Sequence, residues 1–247
     1  MKRVAVIQAR MGSERLPGKV LKTLAGQPVL QHIVNILQGV SIIDEIVIAT
    51  TTLRQDDAVE QLAEKNSVRV IRGSANDVLD RFRLVVLATK PDLVIRVTGD
   101  DPLMDNGITE RVIAAHAEGD WDYSSNILTR TYPRGMDTEV VTQEVLAEAW
   151  RETADQNDRE HVTLYIRDRG DVFRLHNVAA QEMHNRPELR LCLDTPNDYE
   201  LISNVYDNLY NGLPIKLVDV IEYLDAHPEV KKLNAGIMQK KVRGKDY

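Results

Sequence analysis

QARMGSERLPGK, residues 8–19, follows directly on the apolar run Val4-Ala5-Val6-Ile7. Consecutive apolar residues rich in valine and isoleucine read as a first strand buried on both faces, as in a parallel sheet. The stretch is therefore a loop leaving the carboxyl end of that strand, where open α/β sheets bind ligands. It carries three cations, Arg10, Arg15 and Lys19, while Gly12 and Gly18 let the backbone approach a ligand closely. Such a loop suits a polyanion, and a nucleoside triphosphate matches its charge. An exposed basic loop without a ligand is the plainer alternative. The Gly12-Ser13 pair, the stiff Leu16-Pro17-Gly18 turn and the preceding strand favour phosphate.

Two better-known phosphate loops are excluded. A GxxxxGK[ST] loop is ruled out because the step from Gly12 to Gly18 is one residue too long, and Val20 stands where a hydroxyl would meet magnesium. No GxGxxG follows the strand, so the dinucleotide fingerprint is missing.

Outward from the loop, the pattern alternates. Apolar residues at helical spacing (Val29, Ile33, Ile36, Leu37) run from Pro28 to about Gly39, and a strand lies within Ile43 to Thr50. A helix over Asp56–Lys65, a strand over Val68–Ile71, a helix over Asp77–Thr89 and a strand over Asp92–Thr98 follow. This order predicts an α/β fold, a Rossmann-like, mostly parallel sheet sandwiched by helices. Right-handed crossovers then gather the strand-end loops on one edge.

Thr98 is followed by Gly99-Asp100-Asp101-Pro102. Carboxylates at a strand end suit a hard divalent cation, Mg2+, bound together with substrate phosphates. Adjacent side chains point to opposite faces, so one of the two is expected to be a ligand, Asp100, with Asp101 supporting it or acting as a base. A helix cap is the alternative use of this pair. From Trp121 to about Val178 the alternation breaks down: a strand near Asp122–Asn126, a proline-glycine turn bearing Arg134, Asp137 and Glu139, and a helix over Gln143–Arg151. Strand-like runs return at Asp171–Val178 and Glu188–Leu193, the second ending in Asp194-Thr195-Pro196-Asn197-Asp198. Asp194 by itself reads equally as a cap for the helix that Pro196 begins, and Asp198 as a complement to its dipole. Lys216–Ala226 is helical, and the basic tail from Lys231 is expected to be loosely held.

Composition bounds the function. At 247 residues the chain can bury one large α/β core, a single domain over 1–247 with an excursion at about 121–180. A net charge of −7 argues against a nucleic-acid partner, so any anion site must be built from local cations. No run is long and apolar enough to span a membrane, and the chain starts on a strand rather than a signal peptide. The one cysteine, Cys192, leaves no internal disulfide, which fits the cytoplasm, and its alternating apolar neighbours make it a core residue.

QARMGSERLPGKVL resembles the nucleotide signature of sugar cytidylyltransferases of the spore coat polysaccharide type. It is also similar to the ARxxSTRLPGKPL loop of CMP-ketodeoxyoctonate synthetases, with Glu14 standing where that group has threonine. Four further regions match in order: RGSANDVLDRF, VTGDDP, PRGMDTEV with DREHVT, and LDTPNDYE. The resemblance implies the nucleotide-diphospho-sugar transferase type of fold with a small insertion, and transfer of CMP from CTP to an acidic or unusual surface-polysaccharide sugar. It implies that Ala9, Arg10, Gly12, Ser13, Arg15 and Lys19 bind the nucleotide, with Arg72 and Gly73 near its base or ribose. Arg10, Arg15, Lys19 and Asp100 then form the catalytic set, and Asp194 joins Asp100 as the second Mg2+ ligand. Arg134, Asp137 and Glu139 lie near the acceptor; Arg159 and His161 either hold an anionic acceptor or sit at a homodimer interface. Alternatives are transfer to a sugar phosphate or alditol phosphate, or a nucleotide-binding module without turnover.

Overall fold

The computed structural model describes residues 1–239 and 242–243. Strand β1 (Arg3–Gln8) leads through the cationic loop to a two-strand ribbon, β2 (Thr23–Leu24) and β3 (Gln27–Pro28). Helix α1 (Val29–Gln38), β4 (Glu45–Thr51), α2 (Asp57–Lys65), β5 (Arg69–Gly73), α3 (Val78–Thr89) and β6 (Leu93–Thr98) follow in strict alternation. Then come α4 (Asn106–Ala117), β7 (Tyr123–Ser125), β8 (Glu139–Thr142), α5 (Gln143–Glu152), α6 (Gln156–His161), α7 (Leu164–Arg167) and β9 (Leu175–Asn177). Helices α8 (Pro196–Leu209), α9 (Leu217–Ala226) and α10 (Pro228–Lys231) close the described chain.

Seven strands form one sheet in the order β5-β4-β1-β6-β8-β7-β9. The β5-β4-β1-β6 half is parallel, and β8 runs antiparallel between β6 and β7. Alternation along β1 explains the layering. Ala5 and Ile7 enter the core beneath α1, α2, α4, α8 and α9, whereas Val4 and Val6 face α3, α5 and α7. Both sheet faces are thus covered, and this is why the strands read as unbroken apolar runs.

Residues 121–180 depart from the expected excursion in one respect: β7, β8 and β9 join the main sheet. Glu188–Leu193, expected as a strand, makes only an isolated bridge, Arg134 to Arg190. The tail is also better anchored than expected. Asn234 is 3% exposed, its amide donates to Asp198 Oδ1 and the Arg190 carbonyl, and Arg243 pairs with Asp155, Asp158 and Asp168. The rest of that tail, residues 240–241 and 244–247, lies outside the described residues.

Because β1, β4 and β6 are parallel, their carboxyl ends open on one edge, and β8 running the other way brings Glu139, at its start, opposite Arg96 there. Gly99, leaving β6, lies against the loop leaving β1: a Cβ on it would stand 2.8 Å from Ala9 Cβ. Only glycine lets the two loops pack this closely.

Candidate active site

The cationic loop is tied at its base. Buried Asp56 accepts from the Met11 amide at 2.6 Å and from the Thr51 hydroxyl, and the Met11 carbonyl accepts from the Ser13 and Gly18 amides. Gly18 takes a positive φ of 68°, which turns the chain into the short helical segment bearing Lys19. Arg10 crosses to the loop after β5, donating to the Ala75 carbonyl at 3.1 Å.

Lys19 ends between two carboxylates. Its ammonium bonds Asp100 Oδ2 and lies 2.7 Å from Asp194 Oδ1, while Arg15 holds Asp194 Oδ2 at 2.9 Å. Burial opposes the charge on Lys19, yet Asp100 and Asp194 outweigh it and hold the ammonium above the usual lysine range. For Asp194, burial favours the neutral acid, but Lys19, Arg15 and Arg190 win and keep its carboxyl below the usual range. Asp101 behaves in the opposite way. It is 4% exposed and bonded to the Thr98 hydroxyl at 2.7 Å, and burial, reinforced by Asp100 and Asp137, pushes its carboxyl well up.

Two cavities meet at this point. The first, about 880 Å³, is walled by the cationic loop, including Arg10, Gly12, Ser13 and Lys19. The second, about 450 Å³, is walled by Arg96, Arg134, Asp137, Glu139 and Arg167 among others. Arg15, Thr98, Asp100, Glu160, His161 and Asp194 line both. Molecules in the two cavities would therefore meet at Asp100 and Asp194, which Lys19 bridges from the larger cavity.

A divalent cation fits these residues. Among the described residues no group of three or more His, Cys, Asp or Glu gathers into a protein-only cage. Two carboxylates already bridged by a cationic ammonium, beside a phosphate-sized loop, match the sparse ligand set Mg2+ takes when substrate oxygens complete it.

A family model described as Cytidylyltransferase matches residues 4–219. The chain belongs to the cytidylyltransferase family. Spore coat polysaccharide biosynthesis protein SpsF of Bacillus subtilis is 36% identical over 229 residues, covering 91% of this chain and 94% of that one. The 3-deoxy-manno-octulosonate cytidylyltransferase 2 of Hydrogenovibrio crunogenus is 34% identical over 137 residues, 53% of this chain and 54% of its own. A solved cytidylyltransferase structure from Leptospira borgpetersenii superposes with a TM-score of 0.89 at 29% identity, covering 98% of this chain and 100% of that one. This cytidylyltransferase is accordingly a nucleotidyltransferase, and its sheet is the family's α/β sheet.

The other residues expected in the cytidylyltransferase site fall into two groups. Gly12, Ser13, Arg134, Asp137, Glu139 and His161 line one or both cavities. Glu139 is locked there, 1% exposed, accepting from Arg96, the Tyr123 hydroxyl at 2.6 Å and the Thr163 hydroxyl; Asp137 is held by both Arg130 nitrogens at 2.8 and 3.0 Å. His161 is the last residue of α6. The next residue, Val162, is forced to φ 60° and ψ −59°, with the Thr163 amide reaching back to the His161 carbonyl at 2.6 Å. That is a strained γ-turn on a β-branched residue, and it faces His161 into the shared region. Burial holds the His161 imidazole below the usual histidine range despite the neighbouring Glu160.

Ala9, Arg72, Gly73 and Arg159 line neither cavity. Ala9 is buried against Gly99 and Gly73 against Arg81. Arg72 turns back to Glu60 at 2.5 Å, Asp57 at 2.8 Å and the Thr51 carbonyl at 2.8 Å. Arg159 stacks on Trp150 and donates to the Thr153 and Trp150 carbonyls at 3.0 and 2.8 Å. Both guanidiniums are thus engaged in holding helices together. Residues that the sequence did not single out include Asp56, Arg96 and Arg190, whose partners lie 43 to 45 positions away or on a neighbouring turn of the LDTPND segment.

Proposed function

We propose that this cytidylyltransferase transfers CMP from CTP to a sugar acceptor, an acidic or otherwise unusual surface-polysaccharide sugar, and releases pyrophosphate. The observation that carries this reading is the meeting of the two cavities at Asp100 and Asp194, the carboxylates that Lys19 bridges from the larger one. The names of its relatives, a spore coat polysaccharide protein and a 3-deoxy-manno-octulosonate cytidylyltransferase, support cytosine and a sugar.

In the larger cavity, Arg10, Arg15 and Lys19 neutralise the triphosphate, so the α-phosphorus sits beside the carboxylate pair. An acceptor hydroxyl oxygen, held in the smaller cavity, bonds to that phosphorus as its bond to the pyrophosphate oxygen breaks in line; the hydroxyl proton leaves to solvent or a nearby base. Asp100 and Asp194 would hold Mg2+, which when bound would supply charge screening at the phosphates and ease deprotonation of the acceptor hydroxyl. Arg134 and its cationic neighbours in the second cavity suit an acceptor carboxylate. The protein works as a homodimer in the cytoplasm, a reading that rests on its family resemblance and single cysteine; a monomer by sedimentation would remove the dimer from it.

The test is pyrophosphate release with each of the four nucleoside triphosphates and Mg2+, against a panel of 2-keto-3-deoxy sugar acids and sugar phosphates. Release that needs CTP and one acceptor, and that is lost in Asp100→Ala, is expected. Release with a different nucleotide, or release indifferent to Asp100→Ala, would refute it.

A further inference from the structure

Among the described residues Asp194 has three cationic partners, and they are not equivalent. Lys19 on Oδ1 and Arg15 on Oδ2 both line the larger cavity, where a triphosphate would compete for them. Arg190 is different. It is 7% exposed and lines neither cavity, yet it donates to Asp194 Oδ2 at 2.9 Å. Its remaining nitrogens are fixed as well: Nε to Asp198 Oδ1 at 2.9 Å, the nitrogen on Asp194 also to Asp198 Oδ2 at 3.2 Å, and the third to Gln239 Oε1 at 2.6 Å. Besides the two arginines, the Cys192 thiol reaches that Asp194 oxygen, as a weak donor at 4.0 Å.

Asp198 anchors the fork. It is fully buried and, besides Arg190, accepts from the Asp194 and Thr195 amides at 3.1 and 2.9 Å, the Thr195 hydroxyl at 3.0 Å and the Asn234 amide at 2.9 Å. One buried carboxylate therefore fixes both the backbone of Asp194 and the guanidinium that grips its side chain. With Oδ2 held in this way, Oδ1 faces Asp100 across the Lys19 ammonium.

We propose that Arg190 is the positioning residue for Asp194: it keeps the carboxylate aimed at Asp100 after Lys19 and Arg15 move to the phosphates, and so presets the pair for a divalent cation. Only a planar fork bonds two carboxylates from one side chain in this way; lysine restores the charge but not the geometry. This rests on the proposed nucleotide and metal roles of the cleft. Groups that orient a metal ligand typically contribute 10- to 100-fold in affinity.

The test is Mn2+ binding, read from the free-ion paramagnetic resonance signal in the presence of saturating CTP, for the wild type, Asp194→Ala, Arg190→Gln and Arg190→Lys. Circular dichroism melts accompany each variant. Asp198 keeps its other donors in Arg190→Gln, so that variant is expected to fold. It should bind Mn2+ about tenfold more weakly, Arg190→Lys should recover part of the loss, and Asp194→Ala should lose the site. Asn234→Ala, which removes contacts to Asp198 and the Arg190 backbone only, should lower the melting temperature with Mn2+ affinity unchanged. A folded Arg190→Gln or Arg190→Lys with wild-type Mn2+ affinity would overturn the proposal while leaving the cleft's function standing. Should Arg190→Gln fail to fold, Arg190→Lys decides alone, with weakened binding expected. A wild type that binds no Mn2+ with CTP would overturn both.

Discussion

Lys19 Nζ stands between Asp100 and Asp194, 2.7 Å from Asp194 Oδ1 and bonded to Asp100 Oδ2. The ammonium occupies the position between the carboxylates that a divalent cation would otherwise neutralise. Two charges in one place compete, so a nucleotide that draws Lys19 onto its phosphates makes the carboxylates available. Lys19→Ala is therefore expected to lower turnover about 100- to 1,000-fold, the usual cost of one charge contact at a transferring group. The same variant should take up Mn2+ without nucleotide, whereas the wild type is expected to need CTP. Steady-state kinetics and Mn2+ titration check the two halves separately.

Arg134 was expected near the acceptor and Arg159 either there or at a homodimer interface, and the fold separates the two. Arg134 lines the smaller cavity, whereas Arg159 is packed on Trp150. Arg134→Ala should raise the acceptor KM by about tenfold or more, as loss of a charged hydrogen bond does. Arg159→Ala should leave KM unchanged and cost about 1–2 kcal/mol of stability, through the lost stacking and helix contacts. Acceptor titrations and urea unfolding distinguish the pair.

Gly99→Ala tests the contact between the two strand-end loops. The new Cβ would stand 2.8 Å from Ala9 Cβ and 3.0 Å from the Gln8 carbonyl oxygen, in a place where backbone must yield. About 1–3 kcal/mol of destabilisation is expected from such overpacking. Because the displaced loop carries Arg10 to Lys19, KM for CTP should rise in the same variant. Denaturant unfolding and nucleotide titration measure both.

His116, which lines neither cavity, gives a pH signature of its own. It is 4% exposed, its Nδ1 lies 2.9 Å from the Ser124 hydroxyl, and burial, helped by His176 and opposed by Asp122, lowers its pKa to about 4. The unfolded chain binds the proton more readily, at about 6.5. Stability from this group is therefore complete above pH 6.5 and is lost as pH falls toward 4, by about 3 kcal/mol in all. His116→Gln should flatten that part of the stability profile relative to the wild type. Unfolding curves at intervals from pH 7.5 to 4 would show it.

The sequence made the parallel half of the sheet legible because β1, β4 and β6 are buried on both faces, so burial alone writes their apolar runs. It also placed Asp100 at a strand end, whereas Asp194 was expected to end a strand that the structure does not form; one lysine joins the two. The antiparallel insertion of β8 between β6 and β7 was not legible, since strands of three or four residues carry little periodicity and their pairing is set by distant partners. Glu188–Leu193 alternates like a strand, but Arg190 points inward to Asp194 and Asp198, and the run pairs at a single bridge. Arg72 and Arg159 show a different limit. Whether a guanidinium faces a ligand or a neighbouring helix depends on tertiary partners such as Glu60 and Trp150, which local sequence does not reveal.

The central place of β1 has a consequence for synthesis. The first strand made is flanked by β4 and β6, and the ion pair that finishes the cleft joins Lys19 to Asp194, 175 positions later. At ordinary translation speeds of about 5–20 residues per second, the phosphate loop waits roughly 10–35 s on the ribosome for its partner. Until β4 and then β6 emerge to pair with it, well before Asp194 is made, β1 presents unpaired edges and an apolar surface. Contacts so distant in sequence make slow folding the expectation, which refolding kinetics from denaturant would measure.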